Sequence, residues 1–334
     1  MVNTQDVLSR LTSAGLLSAE KMDLGYVSTG VFALNKVVSG KYGGGYPIGG
    51  ITEIIGESST GKTIFITHAF KEAQKLGYYT ILIDNEFAYS PAFAETLGVD
   101  TSKLIYKTPD TIEKCFSAIE DITKEIREYD PDTPIVVGFD SIGTAQSSSE
   151  AQQDMLGGSN MDGAMRAKEV GRCLRKINPI LRSRKVSLLI INQVRSKIGV
   201  MYGDPSTRAG GGKSLEFYCA VSLKVNSNKS SDVLRDANKQ PIGIKGKLVG
   251  KKNKVAIPFQ ECEFKLVYDK GLDPYYGLAS QLEKDGLVSR AGGWYTLIEN
   301  DTKFQSKDLE GLLLDKSKVE FDCLRNLLEL NVDS

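Results

Sequence analysis

Apolar residues follow two rhythms along the chain. Short, almost unbroken apolar runs occur at Ile51–Ile55, Tyr78–Asp84, Ile135–Phe139 and Val186–Ile191. Runs of this length without polar alternation are what strands buried on both faces require. Between them the spacing becomes helical. Residues 62–75 read as a helix stopped by Gly77, and 111–128 carry Ile112, Phe116, Ile119, Ile122 and Ile126 on one face. A third helix is predicted from about Ala164 to Ser183. Strands alternating with helices predict an α/β fold on a mostly parallel, twisted sheet. Later strands are expected at Ala220–Val225, Ile244–Val249 and Glu263–Tyr268.

The flanks differ from this centre. Val7, Leu8, Leu11, Leu16 and Leu17 mark a short amphipathic helical segment over residues 1–24. Residues 25–50, glycine-rich at 43–45, 49 and 50, lead into the first core strand. Residues 269–334 change character again. Short helices surround GGWYTLI, which holds Trp294, and a small separate α+β domain is expected there. The chain thus divides into 1–24, 25–268 and 269–334.

The junction between the first strand and the first helix carries chemistry. Gly56, Glu57, Ser58, Ser59, Thr60, Gly61, Lys62 and Thr63 spell G-x-x-x-x-G-K-[ST], a phosphate-binding loop in its required strand-to-helix setting. The glycines allow backbone angles that turn successive N–H groups onto an anion, and the following helix aims its positive end at the same place. Lys62 reaches the β- and γ-phosphates, and Thr63 offers a hydroxyl to Mg²⁺.

Other strand ends extend the site, because ligands of α/β sheets sit beyond the carboxyl ends of the strands. Glu86 follows the second strand by two residues, where a carboxylate can orient and deprotonate a water attacking a γ-phosphate. Asp140 ends the third strand, the position of an aspartate that holds Mg²⁺ directly or through water. Gln193 ends the fourth, where its amide can sense a γ-phosphate, though a strand-end glutamine alone is weak evidence.

Two long stretches read as loops. Residues 143–163 are polar and show no core-forming pattern. Residues 195–214 combine Arg195, Lys197, Arg208 and Lys213 with Ile198, Val200, Met201 and Tyr202, and with Gly210, Gly211 and Gly212. Cations beside apolar wedges suit a protein that grips phosphates and separates stacked bases, the alternative being a plain flexible lid. The arginines from Arg166 to Arg184 read mainly as a solvated helix face. Lys251, Lys252 and Lys254 read as lysines deterring association along an exposed edge strand.

Composition narrows the partners. Net charge is zero over 334 residues, so no global field draws the chain to nucleic acid or membrane, and any polyanion site is a local patch. Apolar content of 41% is ample for a sizeable core. The five cysteines form no C-x-x-C pair, which points away from zinc and disulfide frameworks and towards buried reduced thiols. His68, the one histidine, lies in the apolar helix after the phosphate loop and reads as structural. The chain has no signal-type or membrane-length apolar run, so a cytoplasmic protein with no membrane partner is expected.

The phosphate loop, NEF at 85–87, FDS at 139–141 and INQVRSKIGVMYGDP at 191–205 together resemble the RecA recombinase family, in its bacterial and phage branch. The similarity runs from about Tyr26 to AGGWY near residue 294, and INQVRSKIGVMYGDP is far more specific than any phosphate loop. The resemblance implies a DNA-dependent ATPase using ATP and Mg²⁺. Such a protein forms helical filaments on single-stranded DNA and exchanges strands with homologous double-stranded DNA. It makes Glu86 the catalytic glutamate, acting with Lys62 and Asp140, and makes Gln193 the link between the γ-phosphate and DNA. Residues 147–163 and 195–214 become the two DNA-binding loops. Met161 is then a base contact, Arg166 a backbone contact, and Arg172 or Arg175 a second one. Ser90, Phe93 and Tyr276 fall at the adenine. Lys252 and Lys254 reach the neighbouring protomer's ATP, and the N-terminal helix docks on an adjacent protomer.

Departures from the family pattern are Phe93 in place of tyrosine, Ile64 in place of a second threonine, and a longer GKYGGGYP. The chain ends in LLELNVDS without a long acidic tail. With the divergence, this leads us to expect a phage-encoded member acting in host cytoplasm. Two rivals stay open: a ring-forming motor or helicase on the same core, and a non-catalytic accessory that binds ATP and DNA.

Overall fold

Buried backbone amides must find partners, so the apolar runs have to lie side by side. The structure, a computed structural model, describes residues 6, 9, 23–152, 162–196, 206–208, 212–227 and 232–330. In chain order the core elements are β1 (Tyr26–Val27), α1 (Phe32–Ser39), β2 (Tyr46–Pro47), β3 (Ile51–Gly56), α2 (Lys62–Lys75) and β4 (Tyr79–Asp84). Next come α3 (Pro91–Thr96), β5 (Leu104–Lys107), α4 (Ile112–Tyr129), β6 (Ile135–Asp140), α5 (Ser148–Ala151) and α6 (Asp162–Ser183). They are followed by β7 (Val186–Ser196), β8 (Ser206–Arg208), α7 (Gly212–Tyr218), β9 (Val221–Asn226), β10 (Val233–Arg235), β11 (Pro241–Asn253), β12 (Glu261–Val267) and β13 (Gly271–Leu272).

β1 and β2 pair with each other, and the other strands form one sheet in the order β13-β12-β11-β9-β3-β7-β6-β4-β5, with β10 on β11 and β8 on β7. Its centre is parallel: β3 pairs with β7 and β9, and β6 with β4 and β7. Beyond β9 the pairing turns antiparallel. The α/β expectation and the mostly parallel centre are therefore both met.

Alternate residues of each strand feed two cores. On one face Ile54, Leu82, Val136 and Leu189 meet Leu34 and Val37 of α1 and Phe65 and Phe70 of α2. On the other, Ile81, Ile135, Phe139 and Ile190 meet Ile112, Phe116 and Ile119 of α4 and Leu174 and Leu181 of α6. Phe116 and Phe139 stand edge-on at 5.8 Å, an arrangement whose loss on truncation to alanine costs about 3–5 kcal/mol. A third cluster gathers Leu278, Leu282, Tyr295, Phe304 and Phe321 near the C-terminus, and Tyr42 from the approach segment inserts into it. That part has its own three-stranded sheet, 288–291, 294–297 and 303–304.

Three expectations need correction. The polar stretch 143–163 holds a helical turn, α5, closed by a capping box in which Ser147 and Glu150 satisfy each other's backbone N–H. The stretch 195–214 is not all loop. β7 continues to Ser196 because its backbone finds partners in β8, Arg195 opposite Thr207, and α7 starts at Gly212 with Leu215 fully buried. The lysine run does not belong to an edge strand: it ends β11, which lies between β9 and β12 over 247–249, and past that point Lys252 pairs with β9, opposite Ser222, after a register shift.

His68 has a structural place. Buried in α2, its Nε2 accepts the Leu272 N–H at 2.9 Å and so joins the helix to β13. Burial, with Lys71 and Lys75 adding to it, lowers its pKa to about 4. A depressed histidine contributes stability that is complete above its unfolded pKa near 6.5 and is lost as pH falls towards 4. The span corresponds to about 3 kcal/mol. The thermal midpoint of wild type should therefore fall relative to that of His68→Gln as pH goes from 6.5 to 4.5. Parallel pH profiles for the two proteins would overturn this assignment.

Candidate active site

Parallel pairing builds the site. In register, Gly56 stands opposite Gln193, and Asp84 opposite Asp140. The carboxyl ends of β3, β7, β6 and β4 therefore share one edge, and whatever follows each strand converges there.

The phosphate loop turns into α2 through Ser59 at φ 64° and Gly61 at φ 81°. Gly61 is the N-cap, with no side chain capping the N–H groups of α2, so a 14-residue helix presents them to the loop's interior. A methyl group on Gly56 would sit 2.8 Å from Thr60 Oγ1, which explains the first glycine. Thr60 Oγ1 donates to the Glu57 carbonyl at 2.9 Å, and Lys62 Nζ donates to the same oxygen at 2.5 Å. Lys62 is thus folded over the loop and buried.

Thr63 Oγ1 donates to Asp140 Oδ2 at 2.6 Å, so the two candidate metal residues are already in contact. Hard oxygen donors at the end of a phosphate loop suit Mg²⁺, which takes few protein ligands and completes its shell with phosphate and water. Among the described residues no cluster of three or more histidine, cysteine, aspartate or glutamate side chains competes for a metal. Burial raises the Asp140 pKa to about 6; the Thr63 bond opposes this, Glu86 and Asp84 add to it, and Lys62 opposes it.

Glu86 is half-buried, and its Oε1 accepts from Ser141 Oγ, from Gln193 Nε2 at 3.1 Å and from Thr144 Oγ1 at 3.3 Å. The structure thus joins Gln193, the weakest of the strand-end candidates, directly to Glu86. The turn carrying Glu86 hangs on Asp84, which sequence reasoning missed. Asp84 Oδ1 accepts the N–H groups of Glu86 and Phe87 at 2.9 Å, and Oδ2 that of Tyr89 at 3.2 Å. Tyr106 on β5 donates its hydroxyl to Oδ2 at 2.9 Å and stacks on Tyr89. An aspartate closing a strand before a tight turn was a readable signal for this role.

Beneath the loop, Glu53 is fully buried and accepts from Asn192 Nδ2 at 3.0 Å and Ser222 Oγ at 2.9 Å, tying β3 to both neighbours. Nothing in the apolar pattern of ITEII announced it.

The remaining candidates spread over the surface. Ser90 caps α3, accepting the Phe93 N–H at 3.3 Å, and the Phe93 ring is partly exposed. Tyr276 has the Lys245 ammonium 5.6 Å from its ring. Arg166 is paired with Glu150 at 2.8 Å, Arg172 with Glu169 at 2.8 Å, and Arg175 is exposed. Gly212 and Lys213 open α7. Arg195 and Arg208 lie on the paired backbone of β7 and β8. Met161, Lys197, Ile198, Gly210 and Gly211 lie outside the described residues, as does most of 1–24.

Lys252 and Lys254 occupy a place no pattern suggested. Lys252 Nζ donates to the carbonyls of Glu216 and Phe217, and Lys254 Nζ to that of Phe217 at 3.3 Å. Both cations therefore cap the C-terminal end of α7, where the helix dipole favours them.

A strand, phosphate loop and helix, with aspartates ending the parallel strands β6 and β4 of the same sheet, define a P-loop nucleoside-triphosphatase core. Residues 11–273 match the RecA N-terminal domain. Similar chains include Protein RecA of Mycoplasma mycoides subsp. mycoides, 36% identical over 79% of this chain and 72% of its own length. Those of Nocardioides sp. and Thermus aquaticus are 36% and 34% identical, over 86% and 77% of this chain and 78% and 72% of their own lengths. The chain belongs to the RecA family.

Asp84 is expected to place Glu86 rather than to react. Asp84→Asn should cut ATP turnover on the order of a hundredfold, the scale for a misplaced catalytic group, with nucleotide affinity near wild type. Tyr106→Phe, which removes one of four donors, should move turnover the same way by less. Weakened nucleotide binding with unchanged turnover at saturation would sink this role.

Proposed function

We propose that the chain is a DNA-dependent ATPase that polymerises on single-stranded DNA and promotes homologous pairing and strand exchange. The observation that carries this reading is the 3.1 Å bond from Gln193 to Glu86. Gln193 lies on the strand that leads into the stretch 195–214, so the geometry of Glu86 follows the position of that strand. DNA held by the stretch can act on hydrolysis through one side chain.

In the hydrolytic step, the Lys62 ammonium exchanges the Glu57 carbonyl for phosphate oxygens, and the N–H groups at the start of α2 hold the same anion. Thr63 and Asp140 would hold Mg²⁺, which supplies charge neutralisation on the phosphates. Glu86 accepts a proton from the attacking water, while Ser141, Thr144 and Gln193 keep its carboxylate aimed. Ser90, Phe93 and Tyr276 take the adenine.

Lys252 and Lys254 would complete the site of the adjacent protomer. Cations supplied in trans stabilise the charge of the transferred phosphoryl group. The carbonyls of α7 preserve both ammonium groups until that partner arrives. Arg166, Arg172, Arg175 and Met161, with Arg195, Lys197, Ile198, Arg208, Gly210 to Gly212 and Lys213, form the proposed DNA-binding surface. The organisation we propose is a docking segment over 1–24, an ATPase core over 25–268 and a small domain over 269–334. Among the described residues no helix is long and apolar enough to cross a membrane.

Two variants test the reading. Lys62→Ala should abolish ATP-dependent filaments and strand exchange, and near-normal exchange would remove Lys62 from the site. Glu86→Gln should retain ATP and DNA binding while hydrolysing roughly 10²–10⁴ times more slowly, the range for losing a general base. Turnover within a few-fold of wild type would require another base. Electron microscopy on circular single-stranded DNA separates a filament from a ring, and a ring would overturn the filament.

A further inference from the structure

Glu150 has no part in the site described above, yet it is the best-held carboxylate near the proposed DNA surface. Its Oε2 accepts the Ser147 N–H at 2.6 Å and Ser147 Oγ at 3.1 Å. Its two oxygens also take the Arg166 guanidinium as a fork, Nε at 3.1 Å from both and Nη2 at 2.8 Å from Oε1. The side chains keep only 13% and 23% of their exposure.

The turn carrying Glu150 is itself anchored. The Ser148 N–H donates to Glu113 Oε2 at 3.0 Å, and the Ile112 N–H donates to the Gln146 carbonyl at 2.9 Å, which fixes the turn on the start of α4. The carboxylate is therefore preorganised in front of Arg166. A carboxylate and a phosphate present the same pair of acceptor oxygens to a guanidinium, so one fork serves one of them at a time. The Ser147 bonds do not depend on Arg166. A displaced Glu150 keeps them, so the exchange leaves no bare buried charge.

We propose that Glu150 gates single-stranded DNA: it occupies the Arg166 fork, and a backbone phosphate binds there only by displacing it. This rests on the reading of Arg166 as a DNA ligand. Glu150 thereby lowers the affinity of the resting protein for polyanions, which a chain of zero net charge leaves to local groups.

Glu150→Gln removes the charge and keeps the capping box, since glutamine also reaches the N-cap N–H. Fluorescence anisotropy of a labelled oligothymidylate, with the full chain, Mg²⁺ and a non-hydrolysable ATP analogue, should show binding tightened about three- to tenfold, the scale of one net hydrogen bond. Unchanged or weaker binding overturns the gate. Arg166→Gln in the same assay should weaken binding and reduce the slope of log affinity against log salt by about 0.7, one single-strand phosphate contact. No effect from Arg166→Gln sinks the DNA-ligand reading and the gate together. Weakening by Arg166→Gln without tightening by Glu150→Gln sinks the gate alone. The paired exchange Glu150→Arg with Arg166→Glu is the control for a mere clasp between the two ends of the loop. Restored wild-type affinity in it would overturn the gate.

Discussion

The parallel register of β3, β7, β6 and β4 is the constraint on which the rest depends. Antiparallel pairing would send alternate strand ends to opposite edges. Parallel pairing sets Gly56 beside Gln193 and Asp84 beside Asp140, so four unrelated stretches of sequence deliver their next residues to one place. The sheet can be parallel only because α2, α4 and α6 cover both faces, and they cover them because their apolar stripes match the two alternating faces of the strands. A slip of one residue in β6 would turn Phe139 to the other face and remove Asp140 from Thr63.

Around that edge the hydrogen bonds form two connections to the stretch 195–214. One runs from Glu86 through Gln193 into β7. The other runs from Lys252 and Lys254 to the last carbonyls of α7, which begins where the stretch ends. In the function proposed here, the first meets the chain's own nucleotide and the second a neighbour's. A single displacement of 195–214 would then alter both halves of a shared site. This is a coupling in the thermodynamic sense only if both ligands bias the same two arrangements.

Much of this was legible in the sequence because it depends on local rules. Long apolar strands, a helical stripe with a 3.6-residue period and a phosphate loop each reveal themselves within about fifteen residues. Helix α2 begins and ends where the pattern put it. What stayed hidden depends on pairing between distant segments. Lys252 looked like edge protection because a lysine run carries no trace of the two strands that flank β11 just ahead of it. Helix α7 was concealed by the glycines before it, and its anchor, Leu215, is a single apolar residue. Asp84 was hidden in plain view as the last letter of a strand, since its partners are backbone N–H groups that no sequence pattern records. The Glu150 cap obeys a known local signature, S-x-x-E, but lay in a stretch too polar to suggest order.

Zero net charge gives the last step of the synthesis its direction. Lys62 holds the Glu57 carbonyl, Lys252 and Lys254 hold the carbonyls of α7, and Arg166 holds Glu150. These four cations, all proposed to meet a phosphate, therefore already have partners within the chain. Binding nucleotide, DNA or a neighbour exchanges one set of partners for another instead of capturing free charge. The free energy of each step is then a difference between two similar terms, small enough to be tipped by a second ligand. A strongly basic protein would hold DNA regardless of nucleotide, whereas a neutral one with pre-engaged cations makes each ligand's hold depend on the others.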